Sequence, residues 1–268
     1  MSRITESFAR AEGGLIPFIT AGDPDLRTTQ DLMIEFGQAG ATVIELGIPF
    51  SDPMADGPVI QRASERALKH SLGIEAVLET VVKTRAEIDT PIILFSYFNP
   101  LLQYGIERLA QEAKDAGIDG ILVTDLIPEE SGDIALSFCA NELDMIFLVA
   151  PTSTDARLEL IANHASGFIY AVSRRGVTGQ QQNVSLEARL LVERVRRFSD
   201  LPVAVGFGIS TCEQVAQTWQ YADAAVVGSA IVAEIERLEG APDLVPRLGQ
   251  FLRSLISQSK LDAKSREM

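Results

Sequence analysis

Residues 43–58 read VIELGIPFSDPMADGP, and this stretch decides how the rest of the chain is interpreted. Its first half alternates as a strand does, with Val43, Glu45 and Gly47 on one face and apolar side chains on the other. Its second half, residues 49–58, is rich in Pro, Asp and Gly and is therefore a loop. A carboxyl group on an apolar strand is unfavourable, because burial disfavours its charged form. We therefore expect Glu45 to have a function.

Eight short apolar runs, each rich in Val, Ile or Phe, predict eight strands. They begin at Leu15, Thr42, Pro91, Gly120, Met145, Gly167, Pro202 and Ala224. Segments between them, such as residues 28–39, 73–88 and 186–198, carry the apolar spacing of helices. This alternation predicts an α/β fold, a single-domain (β/α)8 TIM barrel over residues 1–258 with a polar tail at 259–268. An open doubly wound sheet is the alternative, but its first βα turn would read GxGxxG, and the first strand here ends in AGDPD.

Composition limits the possible partners. The 268 residues carry a net charge of −14, which repels a phosphate backbone, so we expect no nucleic-acid partner. No apolar run is long enough to span a membrane, so we expect no membrane partner either. Two cysteines, Cys139 and Cys212, are too few for a disulfide framework and suit a reducing compartment; we expect both to be small core residues. The cytoplasm is the expected location, with a plastid stroma as the alternative.

The carboxyl ends of barrel strands normally carry the active site. Gly206, Phe207 and Gly208 end the seventh strand, and Gly228 and Ser229 end the eighth, just before a helical segment. Glycines let an anion approach the backbone, and the free N–H groups at a helix start attract it. These two strand ends therefore predict a phosphate site. The alternative is that the glycines only permit tight turns.

The connection after the sixth strand reads SRRGVTGQQQNVS, residues 173–185. It is long and polar and contains two glycines, which is typical of a mobile lid that excludes water. An ordinary solvated connection is the alternative.

The carboxyl groups of the quoted stretch permit several interpretations. Glu45 is either one member of a buried ion pair, a misassigned surface residue, or a catalytic acid/base with a raised pKa. No Lys or Arg lies next to it in the sequence, so catalysis is favoured. Asp52 and Asp56 both occupy the turn-rich loop, and spacing alone does not choose between them.

The motifs ELGIPFSDPMADGP from Glu45, SRRGVTG from Ser173, GFGIS from Gly206 and VGSAIV from Val227 resemble the tryptophan synthase alpha chain family. FITAGDP from Phe18 and FSYFNP from Phe95 are similar to that family as well, so the likeness covers almost the whole chain. The resemblance implies a lyase that cleaves indole-3-glycerol phosphate to indole and glyceraldehyde 3-phosphate, without a metal or an organic cofactor.

The resemblance also implies roles for individual residues. Glu45 and Asp56 match the catalytic pair of the family. The implied substrate-binding positions are the phosphate-binding Gly179, Gly208, Gly228 and Ser229, the strand-six Tyr170, the lid residue Thr178, and the apolar pocket walls Phe18, Ile60 and Phe207. For Phe18 and Ile60, plain core packing is the alternative.

The family works with a beta chain in an alpha2-beta2 tetramer, so the resemblance implies this partner. Residues 49–58 and 99–104 are the expected contact surface, because Pro49, Phe50, Pro53 and Met54 look like exposed apolar residues. The alternative is that they fold back over the barrel mouth. A stand-alone lyase that releases indole, a catalytically silent activating subunit and another phosphate-binding barrel enzyme are the rival functions.

Overall fold

The strands form a closed barrel. The computed structural model describes residues 2–172, 181–206 and 208–266, without the side chains of 181–185 and 258–266. Parallel strands follow one another in chain order, and β8 pairs with β1 to close the barrel. They are β1 Gly14–Thr20, β2 Ile44–Gly47, β3 Ile92–Ser96, β4 Gly120–Val123, β5 Asp144–Val149, β6 Ile169–Val172, β7 Val203–Gly206 and β8 Ala224–Val227. The predicted (β/α)8 barrel is confirmed, and the open sheet is excluded.

Helices surround the barrel. They are α1 Arg3–Arg10, α2 Leu26–Gln38, α3 Pro58–Leu68, α4 Ile74–Arg85, α5 Phe98–Tyr104, α6 Ile106–Ala116, α7 Gly132–Ala140, α8 Asp155–His164, α9 Gln181–Val195, α10 Cys212–Thr218, α11 Ser229–Arg237 and α12 Leu244–Arg266. The helices predicted from apolar spacing correspond to α2, α4 and α9. Polar side chains begin several of them: Asp25, for example, accepts from the N–H of Thr28 at the start of α2.

The strand alternation separates two apolar cores. Val43 belongs to the cluster inside the barrel, together with one or two residues of most strands. Ile44 and Leu46 belong to the larger cluster between the barrel and its helices. The faces predicted for residues 43–47 are therefore confirmed, and the face that carries Glu45 points into the barrel.

Helix α1 closes the amino-terminal end of the barrel. Ile4 and Phe8 are buried in the interior cluster, and the ring of Phe8 lies 5.5 Å from that of Phe168 between centroids. The amphipathic start of the chain thus covers the end opposite the predicted active site. Substrate access is left to the carboxyl ends of the strands.

Two remaining expectations have different outcomes. Cys139 is exposed on α7 and Cys212 is only half-buried at the start of α10, so the expectation that both are core residues is wrong. Helix α7 presents an apolar residue outward as well, since Leu136 is also exposed. The backbone of α12 continues as a helix to Arg266, and the division at residue 258 stays a prediction.

Within the described part of the chain, no helix combines the length and apolar character that crossing a membrane requires.

Candidate active site

Glu45 lies inside the barrel, near its carboxyl end. It is 1 % exposed on β2, and its Cα pairs with that of Phe18 on β1. Among the described residues, no cation forms a salt bridge with it, and its Oε1 has no hydrogen-bond partner. Burial raises the pKa of Glu45 to about 8. The surface and ion-pair interpretations are excluded for the described structure, and the carboxyl group holds its proton near neutral pH.

Tyr170 packs into the same interior, on β6. Burial, and secondarily the charge of Glu45, raises the pKa of Tyr170 well above its ordinary value, so its hydroxyl stays protonated. A Cβ added to Gly206 on neighbouring β7 would lie 2.2 Å from the Tyr170 hydroxyl oxygen. The glycine at this position therefore makes room for the Tyr170 ring beside Glu45.

An apolar wall lies next to Glu45 at the carboxyl end of the barrel. Phe18 is buried and meets Phe95 edge-on, with ring centroids 5.2 Å apart. Ile60, on α3, packs against the same cluster. A Cβ on Gly47 would lie 2.7 Å from the Phe18 ring, so this glycine lets the ring lie across β2. Phe18 and Ile60 are thus brought together as the pocket interpretation requires, and a wall of this kind suits an aromatic ligand.

The loop after β2 distinguishes its two aspartates. Asp52 is exposed, whereas Asp56 is half-buried and accepts a hydrogen bond from the Tyr97 hydroxyl. Burial raises the pKa of Asp56 to about 6, and the Tyr97 hydrogen bond opposes that rise. The Tyr97 oxygen also accepts from the backbone N–H of Ala55 at 2.9 Å. Asp56 is therefore the fixed carboxyl group of the loop, a distinction that spacing in the sequence does not make.

The ends of β7 and β8 have backbone features that suit an anion. Gly208 has φ +74°, a conformation that glycine adopts readily. Gly228 precedes α11 and makes no side-chain cap, and Ser229, the first residue of that helix, is exposed. The first N–H groups of α11 therefore point outward with partial positive charge. Thr178, Gly179, Phe207 and the whole candidate lid, residues 173–185, have no described side chains, so those predictions lie outside the described structure.

Sequence reasoning misses two polar groups of this region. Tyr97 marks only the end of the third strand in the sequence, and its hydrogen bond to Asp56 is seen only in the fold. Thr20 is 2 % exposed on β1, and its hydroxyl has no partner in the described structure. No sequence pattern distinguishes it from an ordinary strand threonine. The described residues contain no cluster of three or more His, Cys, Asp or Glu side chains able to hold a metal ion.

The expected partner surface is only partly exposed. Met54 is 92 % exposed, and Leu102 on α5 is exposed as well. Pro49 is buried, and the Phe50 ring packs on Tyr97 with centroids 5.3 Å apart. The expectation that Pro49 is exposed is wrong, because the start of the loop folds against the barrel before its tip turns outward.

The (β/α)8 barrel enzymes carry their active sites at the carboxyl ends of the strands, and shifted pKa values cluster at functional sites. This chain has both features and is of that class. Comparison with known proteins narrows the class. The chain belongs to the tryptophan synthase alpha chain family, whose family model matches residues 4–258.

Individual relatives agree with this membership. The tryptophan synthase alpha chain of Geobacter sp. (strain M21) is 48 % identical over 259 residues, which cover 95 % of this chain and 97 % of that protein. The crystal structure of tryptophan synthase subunit alpha from Legionella pneumophila str. Paris is 39 % identical with a TM-score of 0.89, over 98 % of this chain and 99 % of that one. A structure of the tryptophan synthase a2b2 complex from Pyrococcus furiosus contains a chain 38 % identical with a TM-score of 0.85, over 91 % of this chain and 98 % of that one.

Proposed function

We propose that this chain is a carbon–carbon lyase that cleaves indole-3-glycerol phosphate to indole and glyceraldehyde 3-phosphate. The observation that carries the proposal is Glu45, a buried carboxyl group without a partner among the described residues, whose pKa of about 8 keeps it protonated at neutral pH. The reaction needs a proton on the indole ring, and this group is able to supply one. Family membership supports the same activity.

Glu45 both gives and takes a proton in this reaction. The protonated carboxyl group delivers its proton to C3 of the indole ring, which turns the ring into a leaving group. The carboxylate then removes the proton of the adjacent glycerol hydroxyl. The O–H electrons form the aldehyde C=O, the carbon–carbon bond breaks, and its electron pair returns to the ring. Glu45 is protonated again at the end of the reaction, so these proton-transfer steps need no cofactor.

Asp56 has the complementary role. With a pKa of about 6 it is mostly ionised at neutral pH, whereas Glu45 is not. Its carboxylate accepts a hydrogen bond from the indole N–H and stabilises the positive charge that develops on the protonated ring. Two carboxyl groups with separated pKa values thereby divide the acid/base and electrostatic roles.

The anionic end of the substrate would bind at the ends of β7 and β8, where β8 is separated from β2 by β1 alone. Gly208 and Gly228 allow close approach, and Ser229 offers the N–H groups that begin α11. The overall charge of −14 gives no general attraction for an anion, so such a local site is required. Gly179, Thr178 and Phe207 complete the expected binding set as predictions outside the described structure. Phe18, Ile60 and Tyr170 would enclose the indole ring.

A beta chain is the proposed partner. The similar Pyrococcus furiosus structure is of an a2b2 complex, and the exposed tip of the loop after β2, at Met54, offers a surface for a comparable contact. The tip lies two residues before Asp56, so docking would act directly on the loop that holds this carboxylate. Indole would then pass to the partner for tryptophan synthesis in the cytoplasm.

Indole release from indole-3-glycerol phosphate tests the activity, with Glu45→Gln and Asp56→Asn measured beside the parent. We expect each variant to lose a factor of about 10² or more in kcat. Asp52→Asn is the matched control, since it changes an exposed aspartate of the same loop and should keep kcat within about twofold of the parent. Parental turnover in Glu45→Gln would refute the assigned role. If the parent shows no turnover, the proposed activity is wrong and the silent activating subunit is the remaining function. If the parent turns over the substrate but does not bind a beta chain, the stand-alone lyase is the remaining function.

A further inference from the structure

A cluster of charged side chains joins the turn after β1 to the helices α3 and α11. Asp23 lies in the turn after β1, Arg62 and Arg66 lie on α3, and Glu236 lies on α11. Arg66 donates from Nε and Nη2 to both oxygens of Asp23, at 2.7 and 2.8 Å, and from Nη1 to Glu236 at 2.8 Å. Arg62 donates to both oxygens of Glu236, each at 2.7 Å. One glutamate of α11 therefore binds two arginines of α3.

Burial makes the Asp23–Arg66 pair of this cluster more rigid than a surface ion pair. The Asp23 side chain is 1 % exposed and that of Arg66 is 12 % exposed, so water screens their contact little. Two parallel hydrogen bonds hold the guanidinium plane against Asp23 in one orientation. With the guanidinium plane fixed in this way, the third nitrogen of Arg66 defines where the Glu236 carboxylate has to lie.

The two helices that the cluster connects begin at the two halves of the proposed site. Helix α3 begins at Pro58, two residues after Asp56, and α11 begins at Ser229. Between them Ala63 and Val232 pack against Phe18. Apolar packing of this kind is non-directional and tolerates small shifts of one helix along the other. Charged hydrogen bonds are directional and do not tolerate such shifts, so the arginine contacts fix the relative position of the helices.

We propose that Glu236 is a positioning residue, which through Arg62 and Arg66 holds the N-terminus of α11 at a set distance from Asp56. The inference rests on the proposed function, since it assigns the purpose of that distance. A substrate bound by its phosphate at Ser229 and by its indole N–H at Asp56 spans both helix starts. A shift of α11 moves the phosphate donors relative to the carboxylate, and the energy of simultaneous contact at both ends falls.

Glu236→Ala tests this role without leaving a buried charge unpaired, because Arg66 keeps its salt bridge with Asp23. The matched control is Glu234→Ala on the same helix, which removes the same charge; among the described side chains, Glu234 forms a salt bridge only with Arg237, three residues away within α11. The two side chains are comparably exposed, at 31 % for Glu236 and 28 % for Glu234. We expect KM for indole-3-glycerol phosphate to rise about 3- to 10-fold in Glu236→Ala, with kcat within about twofold of the parent. Glu234→Ala should leave both parameters at parental values, and Glu236→Gln, which keeps an acceptor for the arginines, should lie in between.

Two measurements separate this inference from the proposed function. Hydrogen exchange at the α11 amides, measured without ligand, should accelerate in Glu236→Ala and not in Glu234→Ala. The dissociation constant of glycerol 3-phosphate should rise by the same factor as KM. If the parent cleaves the substrate but the two alanine variants show equal KM and equal exchange, the positioning role is refuted while the function stands. If the parent does not cleave it, the proposed function fails, and unchanged exchange in Glu236→Ala would still refute the link between the helices.

Discussion

Replacing Glu45 with Gln should stabilise the protein in a pH-dependent manner. The folded chain holds the Glu45 proton up to a pH of about 8, whereas the unfolded chain releases it near pH 4.5. Because the folded pKa is the higher one, the folded state binds more protons between these values, and the parent loses stability as pH rises through this window. Between pH 5 and pH 7 this loss amounts to about 2–3 kcal/mol. Glu45→Gln has no proton to lose and escapes it.

Urea unfolding followed by circular dichroism measures the effect at pH 5, 6 and 7. The difference in free energy of unfolding, Glu45→Gln minus parent, should grow by about 2–3 kcal/mol from pH 5 to pH 7. The free-energy cost of burying the Gln amide is the same at pH 5 and at pH 7, so it cancels from the change in this difference. Asp52→Asn is the control, because its side chain is exposed, and its difference from the parent should stay flat. A difference for Glu45→Gln that does not change with pH would show that the carboxyl group is not buried as described, and the proton-transfer argument would fail with it.

Three further predictions concern other parts of the site. The pH profile of kcat/KM should be bell-shaped, rising through about pH 6 as Asp56 ionises and falling through about pH 8 as Glu45 loses its proton; Asp56→Asn should abolish the acidic limb. Gly206→Ala should destabilise by about 1–3 kcal/mol in thermal unfolding, because the new Cβ overlaps Tyr170, whereas Gly132→Ala, with open space around it, should change little. Met54→Asp should weaken beta-chain binding in calorimetry at least tenfold, and Val82→Asp, which also replaces an exposed apolar side chain, on α4, should not.

The fold can be predicted from the sequence because its signals are local and repeated. Each strand is an apolar run that the barrel buries, and the alternation of residues 43–47 is enough to place Glu45 on the interior face. The loop after β2 is harder to predict, because turn chemistry favours aspartate at both positions. Only the fold brings Tyr97, from the end of β3, against Asp56, and no local pattern encodes a contact between residues so far apart in sequence. The prediction for Pro49 is wrong for a similar reason, since the burial of a loop proline depends on the path that the loop takes.

The free-energy cost of burying Glu45 and its ability to deliver a proton have the same cause, which is the removal of water from its carboxyl group. A carboxyl group that remained in water would titrate near its ordinary pKa and would be ionised at neutral pH, with no proton to deliver. The barrel interior removes that water, with α1 and its Phe8 ring closing the far end and Tyr170 and Phe18 beside the carboxyl group. Raising the pKa to about 8 therefore destabilises the fold by the same free energy that keeps the proton available. It follows that stability and turnover should move in opposite directions in Glu45→Gln. A variant that lets water reach Glu45 should lose less stability between pH 5 and pH 7 than the parent does, and the basic limb of its pH profile should move below pH 8.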